Sequence, residues 1–404
     1  MYRVFFILCL CLLTACSDVK DTLYGWVQND DDNADPPAPL VEFRQGINVI
    51  QIWSRKTGIG TDEQYLTLAP IVANQRLFIA DINGDIKSLD ATNGQVRWSK
   101  KLFGNIASKF SFWKETDSEH ITGGPGYGEN TILVGTSEGN IFAFSSESGE
   151  EIWRTKVSSE ILSTPQKQNN VVIARTLDGK VVALEGDNGR RLWIDDSRSV
   201  PTLTLRGTST PVIFQGLVIA GFDGGRLAAM DLQTGRLLWE IRITTPAGST
   251  ELEQIVDLDS TPVVINGFIY VASYQGSIAS VRLETGQIQW SRDISSYAGF
   301  SVDDDNIYVT DEESNIWALD RFSGNSVWKL EKLHARGVTA PELIGDYLVV
   351  GDVEGYLHWI DKRNGDFVAR TRLSDERIIS KPIAVGKFLY AYCSNGELAA
   401  YTYR

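Results

Sequence analysis

Histidine and methionine are scarce in this chain: three and two among 404 residues, with only four cysteines. So few histidines leave little from which to assemble a hydrolytic triad. His120, His334 and His358 stand far apart, at no spacing that suits zinc, and are expected to be structural or solvated. Basic residues are also in deficit, 38 Lys+Arg against 52 Asp+Glu, for a net charge of −14. A surface that neutralises phosphates needs the opposite excess, so nucleic-acid binding is excluded. The apolar run Val4 to Leu13 is too short to span a bilayer, although it suits the core of a secretory signal peptide. What the chain does have is 43% hydrophobic residues, enough to build a core, which excludes global disorder, and with them 36 Gly and 11 Trp.

Directly after the apolar run comes Leu13-Thr14-Ala15-Cys16, which resembles the lipobox of bacterial lipoproteins, where cleavage precedes the Cys and its sulfur receives lipid. An ordinary signal peptide that happens to contain Cys16 is the weaker alternative. On the lipoprotein reading Cys9 and Cys11 leave with residues 1–15, Cys16 is acylated, and Cys393 remains alone, so no intramolecular disulfide forms. Residue 17 is Ser rather than the Asp that favours inner-membrane retention in enterobacterial lipoproteins, and by that resemblance the anchor belongs to the outer membrane with the body in the periplasm. Residues 16–46, with Asp30-Asp31-Asp32 and Pro36-Pro37-Ala38-Pro39, read as an acidic, extended, lipidated tether, and residues 47–404 as one domain.

That single domain follows from an internal repeat. Proline at 70, 125, 165, 211, 262, 341 and 382 is followed fourteen residues later by Gly, at 84, 139, 179, 225, 276, 355 and 396. A second Gly comes ten further on in six copies, and four beyond it a Trp, at 98, 153, 193, 239 and 290, with Ala369 in the sixth. An eighth copy carries Phe300 and Ser314 in place of the first two markers and rejoins the frame at Gly324 and Trp328. Each copy holds four short strand-like runs joined by Gly turns, the pattern of a propeller blade. The last copy ends after three runs, and Val49-Ile50-Gln51-Ile52-Trp53 supplies the fourth from the other terminus, which removes the open edges. The expected fold is all-β: an eight-bladed β-propeller with four antiparallel strands per blade, closed by the N-terminal strand. A seven-blade ring would leave one complete copy without a place.

The Gly-(three residues)-Trp signature resembles the tryptophan-docking motif of quinoprotein-type propellers, in which the indole packs between neighbouring blades. Trp53, Trp98, Trp153, Trp193, Trp239, Trp290 and Trp328 are accordingly expected at blade interfaces rather than on a ligand. Length variation is confined to the connectors between blades, which step 17, 27, 12, 18, 23, 10 and 13 residues from each Trp to the next opening position. All of them leave and enter equivalent strands, so they emerge on one face, where binding loops are expected. Two consecutive connectors are distinctive: Ser199 to Gly207, with Leu203 and Leu205 alternating beside Arg206, and Ala247 to Asp259, rich in carboxylates. Apolar side chains flanked by Arg and acids fit a protein-docking surface. Arg206 pairing with Asp257 or Asp259 simply to join the two connectors is an equal alternative, and both can hold.

The segments Pro201 to Gly207, Gly248-Ser-Thr-Glu251, Asp257 to Pro262 and Gly355 to Ile360 resemble the BamB family, propeller lipoproteins of the outer-membrane β-barrel assembly machinery, over essentially the whole mature chain. The resemblance implies a non-enzymatic scaffold, without cofactor or metal, that docks two adjacent loops on a periplasmic POTRA domain of BamA and assists barrel insertion, with nascent outer-membrane proteins as further partners. Carried over by motif, the contact residues are Leu203, Leu205, Arg206, Asp257 and Asp259, and Cys16 is the lipidation site. The acidic tether and Phe112-Trp113 do not follow the family pattern. The competing class is a dehydrogenase using pyrroloquinoline quinone, which shares the docking motif, but such an enzyme resembling the alcohol-oxidising quinoproteins is expected to carry a vicinal Cys pair and calcium-binding carboxylates. Asp303-Asp304-Asp305 and Asp311-Glu312-Glu313 lack EF-hand spacing and read as solvated turns.

Overall fold

The computed structural model describes residues 36–61, 66, 68–103, 119–197, 209–245 and 255–404. The chain divides into two compact units, residues 1–36 and 37–404, and the second is considered by itself. Among the described residues there are 32 strands and no helix, grouped into eight four-stranded antiparallel sheets. Blade 4 shows the pattern: β14 (Val212–Phe214), β15 (Leu217–Phe222), β16 (Arg226–Asp231) and β17 (Leu237–Arg242) pair in chain order from the axis outward. The first four strands of this order begin at β2 (Ile71–Ala73), so blade 1 follows β1 (Val49–Lys56).

Blade 8 mixes the termini. β30 (Ile383–Val385), β31 (Phe388–Tyr392) and β32 (Glu397–Tyr403) are completed by β1, antiparallel, with Val49 opposite Tyr403 and Lys56 opposite Glu397. Eight apolar clusters fill the eight interfaces between neighbouring sheets; Leu77 and Ile79 of blade 1 meet Tyr390 and Leu398 of blade 8 and close the ring. Each buried aliphatic side chain in such a cluster contributes about 1.5–3 kcal/mol relative to exposure.

The repeat markers have one physical explanation. Glycines 94, 149, 189, 235, 286, 324 and 365 all adopt φ between 69° and 78°, in the turn before the outer strand. That left-handed conformation is costly for a residue with Cβ, and there is no room for one: an added Cβ on Gly94 would lie 2.7 Å from the indole of Trp53, in the preceding blade. The indole lies on the bare glycine and donates its N–H to the carbonyl three residues before it, from Trp53 to Ala91 (3.1 Å) round to Trp328 to Lys362 (3.0 Å). The same bond recurs at Trp98, Trp153, Trp193, Trp239 and Trp290. Immediately before each Trp the outer strand carries a bulge, as between Ala229 and Met230 opposite Trp239. The extra residue re-aims the ring toward the neighbouring blade and turns its own side chain to solvent, which accounts for exposed Ile52, Ile152, Leu192, Leu238 and Val327.

Antiparallel order puts the turns between second and third strands on the same face as the interblade connectors; the other hairpins lie on the opposite face. These are called below the connector face and the hairpin face. Ser314 adopts φ 69° in the second-to-third turn of blade 6, as the disguised repeat requires.

Candidate functional site on the connector face

The two distinctive connectors meet at their bases. Ser209 ends one and Ser260 ends the other, and the Ser209 hydroxyl donates to the Ser260 carbonyl over 3.1 Å. Ser260 is itself fixed, its hydroxyl donating to Ala272 O (2.7 Å) and accepting from Ala272 N (3.0 Å) in blade 5. Gly221 permits the approach, since an added Cβ there would stand 2.9 Å from Leu258 Cβ and 3.0 Å from Ser209 Oγ. A sequence signal for these serines exists, because Ser-Thr-Pro recurs at 163–165, 209–211 and 260–262 just before an inner strand.

Asp257 is buried, at 1% exposure, and acts as a brace. Its carboxylate accepts from Gly224 N (3.2 Å) in the blade 4 turn, and its carbonyl accepts from Tyr274 N (3.0 Å) in blade 5. It also pairs with Asp223 along the backbone. Asp223 in turn receives Arg175 Nη2 at 2.9 Å, both side chains being buried, and the Arg175 guanidinium lies 5.5 Å from the centre of the Phe222 ring. Blades 3, 4 and 5 are thus tied at the connector face by one polar chain. Arg175 and Asp223 carry no local sequence signature, and sequence reasoning missed them.

Asp259, partly exposed, faces the axis. There the inner strands and connectors surround a cavity of about 610 Å3 with Thr164, Thr210, Thr261, Tyr297, Arg377 and Lys381 in its wall. Tyr297, 49% exposed, stands edge-on to Tyr274 with ring centres 6.5 Å apart, so the carboxylate-bearing connector adjoins a pair of aromatic side chains. Lys381 is held by Glu342 (2.8 Å) and Ser301 (2.6 Å). Asp259 is the one carboxylate among the described residues of the wall, and no group of three or more His, Cys, Asp or Glu side chains among the described residues is arranged for a metal. Calcium with pyrroloquinoline quinone needs several oxygen donors, and this lining does not fit them.

Cys16, Leu203, Leu205, Arg206 and the Phe112-Trp113 pair lie outside the described residues. Cys393 is buried, and burial first, then Glu397 and Glu376, push its thiol up to about 12, which leaves it inert as a nucleophile. The two acidic triplets are anchored through turns: Asp303 accepts from Asn306 N and from Lys362, and Asp311 accepts from Asn315 N and the Trp317 indole.

Residues 84–330 match a family model described as "Outer membrane protein assembly factor BamB". Curated proteins of that name are similar along nearly the whole chain. One from Legionella pneumophila is 40% identical over 97% of each chain, one from Pseudomonas aeruginosa 40% over 91% of this chain and 93% of its own, and one from Escherichia coli 33% over 98% and 97%. Among solved structures, BamB from Moraxella catarrhalis superimposes with a TM-score of 0.76, covering 88% of this chain and all of its own at 24% identity. A europium-containing methanol dehydrogenase gives 0.69 over 88% of this chain and 93% of its own at 13% identity, a likeness of fold alone.

Proposed function

The chain belongs to the BamB family of outer-membrane protein assembly factors, and from that premise we propose that it is a non-enzymatic scaffold, lipid-anchored at Cys16 and facing the periplasm, which docks on the POTRA region of BamA and assists insertion of β-barrel proteins. Leu203, Leu205, Arg206 and Asp259 make the contact in this reading; Asp257, which the resemblance places among them, is buried and instead holds the connector that presents them. The observation that carries it is the joining of the two connectors at Ser209 and Ser260 on a rigid three-blade base. Binding loops gain affinity when their ordering cost is met before the partner arrives, and a buried brace such as Asp257 meets part of it. The neighbouring Tyr274–Tyr297 pair supplies aromatic surface of the kind that dominates docking energetics.

The reading is tested by capture of the BamA periplasmic region with wild-type protein and with Leu203→Glu or Arg206→Glu. Loss of capture by folded variants is the expected result; retention of wild-type affinity by both would remove the assignment. Addition of pyrroloquinoline quinone and calcium is expected to give neither bound cofactor nor dye reduction, and activity there would move the protein to the enzyme class.

A further inference from the structure

Residues 38–46, assigned by sequence to the tether, lie against blades 6 and 7 in a socket built for them. Ala38 N donates to His334 O (3.0 Å), and Ala38 O accepts from Arg336 Nη1 (2.9 Å). Arg336 is 2% exposed and belongs to the connector between blades 6 and 7. Its Nε donates to Asp352 (2.8 Å) and its Nη2 also reaches Glu354. Three residues further along the strap, Val41 O accepts from Arg370 Nη1 (3.1 Å). The Arg370 guanidinium lies 5.1 Å from the Phe43 ring centre and 5.3 Å from that of Phe367, and the two rings are themselves 5.5 Å apart. Val41 and Phe43 complete the apolar cluster of Leu330, Leu333, Val338 and Phe367. Gly46 N then donates to Val368 O (2.7 Å) before the chain enters β1.

A buried arginine, Arg336, and a half-buried one, Arg370, thus aim donors at the carbonyls of a segment that has no secondary structure of its own. Removing the strap would take the Ala38 carbonyl from the buried Arg336 and the Val41 carbonyl from Arg370. Pro37 and Pro39 restrict the free segment and lower the entropy lost on docking.

The strap changes where the N-terminal segment leaves the ring. β1 starts at the hairpin face, because Val49 pairs with Tyr403 at the far end of β32. Without the strap the chain would leave from that face. With it, the chain climbs beside β29 (Phe367–Arg372) and leaves at Arg336, on the connector face. Blade 7 lies across the eight-membered ring from blade 3 and three places from blade 4, whose connectors carry the candidate site.

We propose that residues 38–46 are a latch that transfers the exit of the membrane tether from the hairpin face to the connector face, opposite the docking connectors. The membrane role of that exit rests on the lipid anchor at Cys16. Twenty residues then lie between Cys16 and Pro37, a reach of at most about 75 Å, and the latch withholds the nine residues 38–46 from the free tether. The tether and the partner-docking connectors thus leave the same face from opposite sides of the ring.

The test is distance measurement by paired spin labels in the mature chain carrying Cys16→Ser, in which Cys393 is buried. One label is placed by Pro37→Cys; the other is placed by Val353→Cys on the connector face of blade 7 or by Arg363→Cys on its hairpin face. Narrow distributions are expected, shorter to position 353 than to 363, and Val41→Asp with Phe43→Asp is expected to broaden both. These strap substitutions leave the Arg336 and Arg370 networks within the ring in place, and hydrogen exchange in the blade strands checks that it stays folded. Broad wild-type distributions, a shorter distance to 363, or no response to the strap substitutions would overturn the latch. Mass spectrometry of the unsubstituted protein reports lipid on Cys16 separately, so failure of the anchor is distinguishable from failure of the latch.

Discussion

Seven blade interfaces are sealed by an indole on a bare glycine, while the eighth, between blades 7 and 8, has Ala369 where the Trp would stand. The difference lies in what the next blade offers. A docking Trp needs the positive-φ glycine of the turn between third and fourth strands, and blade 8 has no such turn, because its fourth strand comes from the other end of the chain. At that place Asn48 and Arg404 exchange two backbone hydrogen bonds, each 3.0 Å long. The volume is filled instead by Trp359 from β28 (Tyr356–Asp361), which meets Tyr403 at 5.7 Å, and by Tyr347 edge-on to Tyr403 at 5.4 Å. The Trp is therefore a device for joining blades through a hairpin, and aromatic packing with β1 replaces it where the joint is made by the termini.

The largest effect should come from removing a docked indole. Trp153→Ala, at the most buried of these sites, is expected to cost about 3–5 kcal/mol and to lower the denaturation midpoint accordingly; a loss below 1 kcal/mol would show that the indoles are not what seals the blades. Restoring the motif at the exceptional seam should hurt rather than help. Ala369→Trp enters a filled core without a glycine to receive the ring, and a loss of about 1–3 kcal/mol is expected from overpacking. Stabilisation by this substitution in a urea titration would mean that the seam is merely a degenerate copy of the other seven. Smaller again is Gly235→Ala, for which the left-handed backbone alone costs roughly 1–2 kcal/mol, with displacement of Trp193 in addition. Calorimetry should therefore rank Gly235→Ala below Trp153→Ala and well above an alanine at Gly216, where φ is also positive but no atom lies within 4 Å of the added Cβ.

The contrast also explains what the sequence made legible. Ring geometry imposes one contact at each hairpin-joined interface, so the glycine and Trp recur at fixed intervals, and the incomplete last copy announces the N-terminal strand. Connector loops gave up their position and composition but not their bracing: Arg175 meets Asp223 48 residues away, and only folding brings them together. The strap was the least legible element. Its Pro-rich composition is that of a linker, and its partners lie 298 and 329 residues further along, at Arg336 and Arg370. No local pattern announces a docking whose two halves lie at opposite ends of the chain.

His358 allows the strap and the ring to be compared by pH alone, and the expected effect is the smallest. Arg370 Nε donates to His358 Nδ1 (3.1 Å), so that nitrogen is the acceptor, and Nε2 carries the hydrogen toward Asp352 (2.8 Å). The groups facing the imidazole are Asp352, Arg370 and Arg336, with the Tyr356 and Phe367 rings beside it. Burial is the main cause that holds its pKa below the usual value of about 6.5; Asp352 opposes the shift, and the two arginines add to it. The unfolded chain therefore takes up this proton at a higher pH than the folded one. Stability from this group is complete above about pH 6.5 and is lost as pH falls from there toward the lowered folded value, at no more than about 1.4 kcal/mol per pH unit for one proton. Asp352, whose pKa is also lowered, acts in a separate window below the ordinary Asp range. A proton on Nδ1 would set donor against donor at Arg370 and loosen its hold on Val41, so the hydrogen-exchange protection factors of residues 38–46, corrected for the intrinsic pH dependence of exchange, should fall as pH drops below the usual histidine range before those of the blade strands do. His358→Gln should flatten that pH dependence; an unchanged slope in the variant would place the titrating group elsewhere.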